Sequence, residues 1–178
     1  KQYYKWNDLK EDGTPANNWA SGNGGFSISN PSAKLDEYPT ISIEDGYDGK
    51  AVRLMTKATG PIAQAMNMRM AAGNLFLGEF VTESALTNPL QSTHFGLPFD
   101  KKPVKFTGYY KYRPGEAFMD KYGNVEAGRI DEASVYAILY KNHDAAGNPV
   151  VLYGDNVQTS EQIVAKAILA EVRPTDEW

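Results

Sequence analysis

The sequence has no cysteine and only two histidines among its 178 residues. Disulfides, thiolate metal sites and a cysteine nucleophile are therefore excluded. Apolar runs are short, and none approaches the roughly 20 residues that a membrane-spanning helix needs. The net charge of −4 is small and both signs are interspersed, so neither nucleic acid nor an anionic membrane is an expected partner.

Glycine, proline and tyrosine are what the sequence has in quantity, with 16, 10 and 11 residues respectively. Frequent turn residues between short apolar runs are typical of all-β proteins. The length corresponds to a single domain that buries about 70% of its unfolded surface. We therefore expect one all-β domain spanning residues 1–178.

A regular alternation runs from Val104 to Arg113. It predicts a strand with an apolar face and an opposite face carrying Tyr109, Lys111 and Arg113. An aromatic ring beside cationic side chains suits a flat polar ligand such as a sugar ring, which makes these three residues candidate ligand-binding residues. The alternative is an ordinary solvent-facing side of a half-buried strand.

Other aromatic residues extend the candidate ligand surface. Trp19 stands in a loop of small polar residues, where it either closes one end of the β-domain or stacks on a sugar. Tyr136 lies in a predicted strand from Ser134 to Lys141, whose two faces are both apolar. Further strands are predicted at Tyr3–Trp6, around Phe26 and Ile28, at 74–81, and at Ile163–Val172, where a helix is the competing interpretation.

Carboxylates provide two further candidate sites. Asp45 and Asp48 lie on a glycine-bearing turn that can offer oxygen ligands to calcium, although a solvated turn fits the same residues. Glycoside hydrolysis needs two facing carboxylates, for which Glu79, Glu116 and Asp131 are candidates, although the same residues can simply be polar surface positions. No other catalytic motif is present, and no cofactor other than calcium is expected.

His94 has no acid and no second histidine close to it along the chain. We therefore predict a structural role for it rather than a catalytic one.

Three motifs carry a family resemblance. They are AGNLFLGEF at 72–80, FGLPF at 95–99 and GYYKYRPG at 108–115. Together they resemble the putative carbohydrate metabolism domain, found in bacterial cell-surface lipoproteins, and the resemblance extends from Trp6 to Trp178. It implies a two-layer antiparallel β-sandwich of the jelly-roll type, located at the bacterial cell surface or in the periplasm. It also implies an upstream N-terminal domain and further C-terminal strands outside this sequence.

The resemblance implies a carbohydrate-binding domain whose partners are a polysaccharide or oligosaccharide and other domains of the same protein. In that reading a sugar ring stacks on Tyr109 or Trp19, while Lys111 and Arg113 bind its hydroxyls or an acidic group. Two alternatives remain open from the residues. One is a glycoside hydrolase using Glu79 with Glu116 or Asp131, and the other is a structural spacer or assembly domain.

Overall fold

The computed structural model describes residues 11–12, 18–120 and 122–178 of the chain. Eleven short strands, two short α-helices and three 3₁₀ helices are found in this part, and every strand pair is antiparallel. The predicted all-β antiparallel fold is confirmed. The strand predicted at Tyr3–Trp6 lies outside the described residues.

The elements have the following bounds. The strands are β1 (Trp19–Ala20), β2 (Thr40–Ile43), β3 (Ala51–Leu54), β4 (Lys57–Ala58), β5 (Met70–Ala71), β6 (Phe76–Phe80), β7 (Thr93–Phe95), β8 (Phe118–Met119), β9 (Val125–Glu126), β10 (Tyr136–Tyr140) and β11 (Ile163–Ile168). The helices are α1 (Asn23–Ser29) and α2 (Pro61–Ala65). With seven residues in α1 and five in α2, neither of the described α-helices can span a bilayer.

The chain divides into two compact units. Unit 1 comprises Lys1–Leu97 and Val151–Asn156, and unit 2 comprises Pro98–Val150 and Val157–Trp178. The expectation of one sandwich domain over 1–178 stays a prediction.

Unit 1 is centred on an aromatic cluster. Phe26 and Tyr38 meet edge to face with ring centroids 5.4 Å apart, and Ile41 of β2 completes the buried cluster. Burial of three such side chains is worth about 2 kcal/mol each, so this cluster is a main source of stability for the unit. Pairing of β2 with β3 places Ile41 opposite Arg53.

The strand predicted around Phe26 and Ile28 is wrong, because these residues lie in α1. The alternation of apolar residues with serine is coincidental. The buried residues of α1 are Asn23, Gly24, Phe26, Ser27 and Ser29, of which Asn23, Phe26 and Ser27 follow helical spacing, whereas Ile28 is 36% exposed. What selects the helix is the anchoring of the buried Asn23, whose side chain bonds a distant strand.

A buried polar network joins α1 to the neighbouring segments. The amide of Asn23 donates to the carbonyl of Thr40 over 2.7 Å, and its oxygen accepts the N–H of Thr40. The Thr40 hydroxyl in turn donates to the Asn74 carbonyl over 2.8 Å, and the Asn74 side chain accepts the N–H of Gly22. Because buried polar groups are costly when unpaired, this network fixes the relative placement of α1, β2 and the start of β6.

The strand predicted at 74–81 is confirmed as β6, which is the centre of a three-stranded sheet in the order β1, β6, β7. Phe76 is buried and packs against Phe95 of β7, with ring centroids 5.1 Å apart and the rings tilted by 56°. Gly78 has a φ of +141°, and a side chain here would overlap the carbonyl oxygen of His94. Glycine is therefore required where β6 and β7 approach most closely.

In unit 2, β10 pairs with β11, so that Tyr136 lies opposite Ile168. The strands predicted at Ser134–Lys141 and Ile163–Val172 are both confirmed with shorter bounds, and the helical alternative for the second is wrong. Cross-strand pairing of β-branched and aromatic side chains outweighs the helix propensity of the alanines.

The strand predicted from Val104 to Arg113 is wrong. Residues 102–111 form no helix or strand, and only Tyr112 forms an isolated bridge, with Thr175. Alternation describes one chain, whereas a strand also needs a partner that supplies hydrogen bonds. Pro103 and Pro114 remove backbone donors on both sides of this segment.

Two hairpin tips in unit 2 are built in the same way. In each tip, one carboxylate oxygen of the aspartate, Asp120 or Asp144, accepts hydrogen bonds from two backbone N–H groups, one of them the N–H of the asparagine four residues later. The other carboxylate oxygen accepts a hydrogen bond from the side-chain amide of the same asparagine. The partners are Asn124 and Asn148. These bonds lower the pKa of both aspartates. We call them the Asp–Asn loops.

Candidate functional site

The three-stranded sheet of unit 1 has one buried and one exposed face. Phe76, Gly78 and Phe80 alternate with Leu77 and Glu79 along β6, and only the second pair is exposed. Side chains that lie directly opposite in an antiparallel ladder project to the same side. The register of β6 with its neighbours therefore determines what shares the exposed face with Glu79.

A row of three polar side chains crosses this face. His94 of β7 lies opposite Glu79 in the β6–β7 register. On the other side of β7, Phe95 bridges Leu152, which brings Tyr153 beside His94, with ring centroids 5.1 Å apart and the rings nearly perpendicular. We call Glu79, His94 and Tyr153 the polar row. It brings a carboxylate, an imidazole and a phenol together from three separate chain segments.

Trp19 belongs to the same face. The β1–β6 register places Trp19 opposite Leu77, two residues before Glu79 on the same strand. Trp19 is half-buried and Leu77 is 43% exposed. Trp19 was expected in a loop but lies in β1, and the structure brings it onto the face that also carries Glu79. Its role as a stacking platform stays a prediction.

Backbone contacts hold the polar row in place. The N–H of Phe95 donates to the carbonyl of Leu152 over 2.8 Å, and Leu152 is 1% exposed. The N–H of Tyr153 donates to the side chain of Asn156 over 2.8 Å. Together with the close approach at Gly78, these contacts fix the three chain segments before any ligand arrives, so the face is preorganised.

The face offers complementary hydrogen-bonding groups. A carboxylate accepts, a phenol both donates and accepts, and a neutral imidazole does the same from its two nitrogens. Neighbouring strands lie about 4.8 Å apart, so a row across three chain segments spans about 10 Å. Next to it, Trp19 and Leu77 provide apolar surface. This combination of a polar row with an apolar flank suits a ligand that has hydroxyls at its edge and C–H groups on its face.

Sequence reasoning missed His94 and Tyr153 as site residues. Glu79 is far from His94 along the chain, and only the ladder register makes them neighbours. The alternation in FLGEF and the histidine in the next strand were the available signal. Tyr153 belongs to the second chain segment of unit 1, Val151–Asn156. Nothing in the local sequence around it indicated that it would lie beside His94.

The predicted ligand residues of unit 2 lie in a different environment. The Lys111 ammonium sits 4.8 Å from the centre of the Trp178 ring, a cation–π contact, and Arg113 forms an exposed ion pair with Asp176. Tyr109 is 60% exposed, and Tyr136 lies half-buried in β10. Their ligand-binding role stays a prediction.

The predicted acidic pair is divided between the units. Glu79 belongs to unit 1, whereas Glu116 and Asp131 belong to unit 2. The Tyr112 hydroxyl donates to the backbone carbonyl of Asp131 over 2.7 Å. Burial raises the pKa of Tyr112, and the negative charge of Asp131 adds to the increase. A hydrolytic pairing of Glu79 with either unit 2 carboxylate stays a prediction.

The turn proposed for calcium is held by protein contacts. The N–H of Gly46 donates to the carbonyl of Gly49, and Glu44 pairs with Lys50 over 3.1 Å on its exposed flanks. In the part of the chain that the structure describes, no group of three acidic or histidine side chains could hold a metal ion. Calcium binding by Asp45 and Asp48 therefore stays a prediction, without geometric support.

Unit 1 also contains an open groove of about 690 Å³ beside α1 and α2. Its polar groups are largely engaged within the protein. The Asn30 side-chain oxygen accepts the N–H of Gly60 over 2.9 Å, and the Glu37 carboxylate accepts the N–H of Lys34 over 2.7 Å. None of the predicted site residues lines this groove, and we regard the sheet face as the stronger candidate.

Comparison with known proteins gives a consistent picture. The family described as "Putative carbohydrate metabolism domain" matches residues 1–178. A crystal structure of a putative glycoside hydrolase from Bacteroides thetaiotaomicron VPI-5482 is 37% identical, with a TM-score of 0.88 over 100% of this chain and 51% of that chain. No curated protein matches the chain.

A second crystal structure, of a putative glycoside hydrolase from Bacteroides vulgatus ATCC 8482, is 31% identical, with a TM-score of 0.85. The match covers 99% of this chain and 68% of that one. The chain thus spans about half the length of the first solved relative and about two thirds of the second.

Proposed function

Because the chain belongs to the putative carbohydrate metabolism domain family, we propose that it binds carbohydrate through the exposed face of the three-stranded sheet in unit 1. The observation that carries this proposal is the polar row of Glu79, His94 and Tyr153, which crosses three adjacent chain segments beside Trp19.

The proposed mode of binding follows from the chemistry of the face. Glu79 accepts hydrogen bonds from sugar hydroxyls, while His94 and Tyr153 donate to or accept from neighbouring hydroxyls. A hydrogen bond to a charged group contributes about 1.5–3 kcal/mol, which makes Glu79 the largest single contributor. Leu77 and Trp19 contact the C–H face of the sugar ring.

A direct test is binding of this chain to a glycan array, followed by calorimetric titration of the strongest neutral oligosaccharide. We expect Glu79→Gln to weaken binding by about 10- to 100-fold, from the loss of a charged acceptor. Tyr153→Phe removes one neutral hydroxyl and should weaken it by about 2- to 10-fold.

Glu83→Gln is the matched control, because Glu83 is exposed in unit 1 but lies in a short 3₁₀ segment away from the ladder positions of the polar row. The control should bind like the native chain. Equal affinities for Glu79→Gln and the native chain would overturn the proposed site, provided that thermal melts show both to be folded.

Glycoside hydrolysis is the second candidate function. Two solved relatives are named as putative glycoside hydrolases, and Glu79 lies across the ladder from a titratable group, His94. Hydrolysis by the usual mechanism needs a second carboxylate, for which Glu116 and Asp131 were predicted. Release of reducing sugar that disappears in Glu79→Gln would support this candidate, and zero turnover across a panel of bound polysaccharides would count against it.

The proposed cellular context follows from the family resemblance. We propose that the chain is part of an exported protein at the bacterial cell surface or in the periplasm, where it serves glycan recognition or utilisation together with other domains. Protease accessibility of the full-length protein on intact cells tests this location. The spacer or assembly alternative predicts concentration-dependent association without glycan binding, measurable by analytical ultracentrifugation.

A further inference from the structure

A cationic segment in unit 2 is not used by the proposed site. It runs from residue 101 to 113 and contains no acidic residue. Its cations are Lys101, Lys102, Lys105, Lys111 and Arg113. The segment is thus strongly positive in a chain whose net charge is −4, which marks it as a local site of attraction for anions.

The segment is also unusually accessible. Val104 is 97% exposed and Phe106 is 59% exposed. Residues 98–108 lie outside every described helix and strand, and all of them are exposed. Val104 and Phe106 lie two residues apart, so they form an exposed apolar surface in the middle of the cationic segment.

The cations are only partly neutralised by the protein. Lys111 is held over the Trp178 ring, and Arg113 pairs with Asp176 while its side chain remains 83% exposed. An ion pair this exposed is worth little and can exchange its carboxylate for that of a ligand. In the part of the chain that the structure describes, Lys101, Lys102 and Lys105 have no acidic partner within ion-pair distance.

From these observations we propose that the cationic segment binds an acidic polysaccharide, meaning a polymer with carboxylate or sulfate groups on successive sugars. Lysine and arginine bind the anionic groups through charge-assisted hydrogen bonds, and Phe106 packs against the C–H face of a sugar ring. A mixture of exposed cations and rings fits such a polymer better than a small anion, which would not use the apolar side chains.

This inference rests on the proposed carbohydrate function and adds to it a ligand class and a second contact surface. The two can fail separately. Binding of a neutral oligosaccharide reports on the polar row, whereas selective binding of an acidic polymer reports on the cationic segment.

The test uses polygalacturonate and heparin as acidic glycans and dextran as a neutral glycan. Single-stranded DNA serves as a polyanion that does not offer the pyranose C–H faces of a glycan. The native chain should retain both acidic glycans in affinity electrophoresis, with binding that weakens as salt rises from 50 to 200 mM, on the order of the range over which exposed charges become screened. The cationic segment of the native chain should not retain dextran, and DNA should bind to the native chain more weakly than the two acidic glycans do.

The decisive variant carries Lys101→Gln, Lys105→Gln and Lys111→Gln. We expect it to bind the acidic glycans at least about tenfold more weakly, because three exposed charge contacts are lost. The matched control removes the same charge elsewhere, with Lys34→Gln, Arg53→Gln and Lys141→Gln, at positions that are all exposed. It should bind within about twofold of the native chain.

Three outcomes overturn the proposal. They are absence of acidic-glycan binding by the folded native chain, an equal loss in the control variant, and binding of DNA as tight as that of the glycans. A Phe106→Ala variant with its cations intact gives an independent reading. A severalfold loss of glycan binding supports ring contact, and an unchanged affinity contradicts that part of the proposal.

Discussion

Replacement of Gly78 by alanine tests the link between the fold and the proposed site. Gly78 lies between Leu77 and Glu79 in β6, with a φ of +141° that side-chain-bearing residues rarely adopt. A Cβ at this position would also overlap the carbonyl oxygen of His94 in the neighbouring strand. The substitution therefore introduces backbone strain and a steric clash together.

The two effects can be given separate magnitudes. Backbone strain at such a φ costs about 1–2 kcal/mol. The clash involves backbone rather than a flexible side-chain end, so β6 and β7 must separate locally, which adds about 2 kcal/mol of lost pairing and packing. We expect Gly78→Ala to lower the free energy of unfolding by about 3–4 kcal/mol and to disturb the register of Glu79 with His94.

Urea unfolding followed by tryptophan fluorescence measures the loss, and Gly49→Ala is the matched control in the same unit. Gly49 has a φ of +81° but has open space where a Cβ would lie, so it reports strain alone, about 1 kcal/mol. If Gly78→Ala costs no more than Gly49→Ala, the close approach of β6 and β7 does not constrain this face. In that case neutral-glycan binding should also survive the substitution.

Three further changes test other features. Thr40→Val leaves the partly buried backbone N–H and carbonyl of Asn74 without their hydroxyl partner and should cost about 2 kcal/mol in urea unfolding, while Thr40→Ser should recover most of it. Because the pKa of Asp144 is lowered in the folded state, its ionised carboxylate stabilises the fold above the unfolded pKa of 3.8, and this contribution is lost as pH falls through the folded pKa. In Asp144→Asn, the free energy of unfolding should therefore depend less on pH between about pH 5 and 2. The raised pKa of Tyr112 means that its phenol favours folding below 10.0 and that this contribution is lost as pH rises through the folded value. Absorbance titration at alkaline pH should therefore lose a late-ionising tyrosine in Tyr112→Phe.

Strands with a local signature could be predicted from the sequence. The FLGEF motif alternates with phenylalanine on one side, and β6 formed where expected. The strands β10 and β11 were likewise identified, because their β-branched and aromatic residues favour pairing. In both cases the pattern of one segment is enough to define its secondary structure.

Features that depend on a distant partner could not be predicted. Phe26 alternates with serine as a strand residue would, yet the side chain of Asn23 reaches Thr40 and stabilises a helix. Val104 begins a regular alternation, but no strand of the described chain pairs with it. Alternation along one segment carries no information about long-range hydrogen bonds.

The same limit applies to the candidate site. Trp19 and Glu79 were named as candidates for their chemistry, and the register of β1 and β6 then brought them to one face. His94 and Tyr153 complete that face only through pairing between separate segments. A site to which each strand contributes one residue can be recognised only once the strand pairing of the sheet is known.

In the Asp–Asn loops, the hydrogen bonds that close the hairpin do not depend on which side chains stand at its tip. In each loop the aspartate and the asparagine four positions later supply the closing side-chain bonds, and the glycine before the asparagine adopts a positive φ. The positions between the aspartate and the glycine contribute no side chain to these closing bonds, and the two loops differ there, with alanines at 145 and 146 and a tyrosine at 122. These positions are consequently free to diverge, and they are suitable places to install a spectroscopic label or a recognition tag without altering the strands on either side.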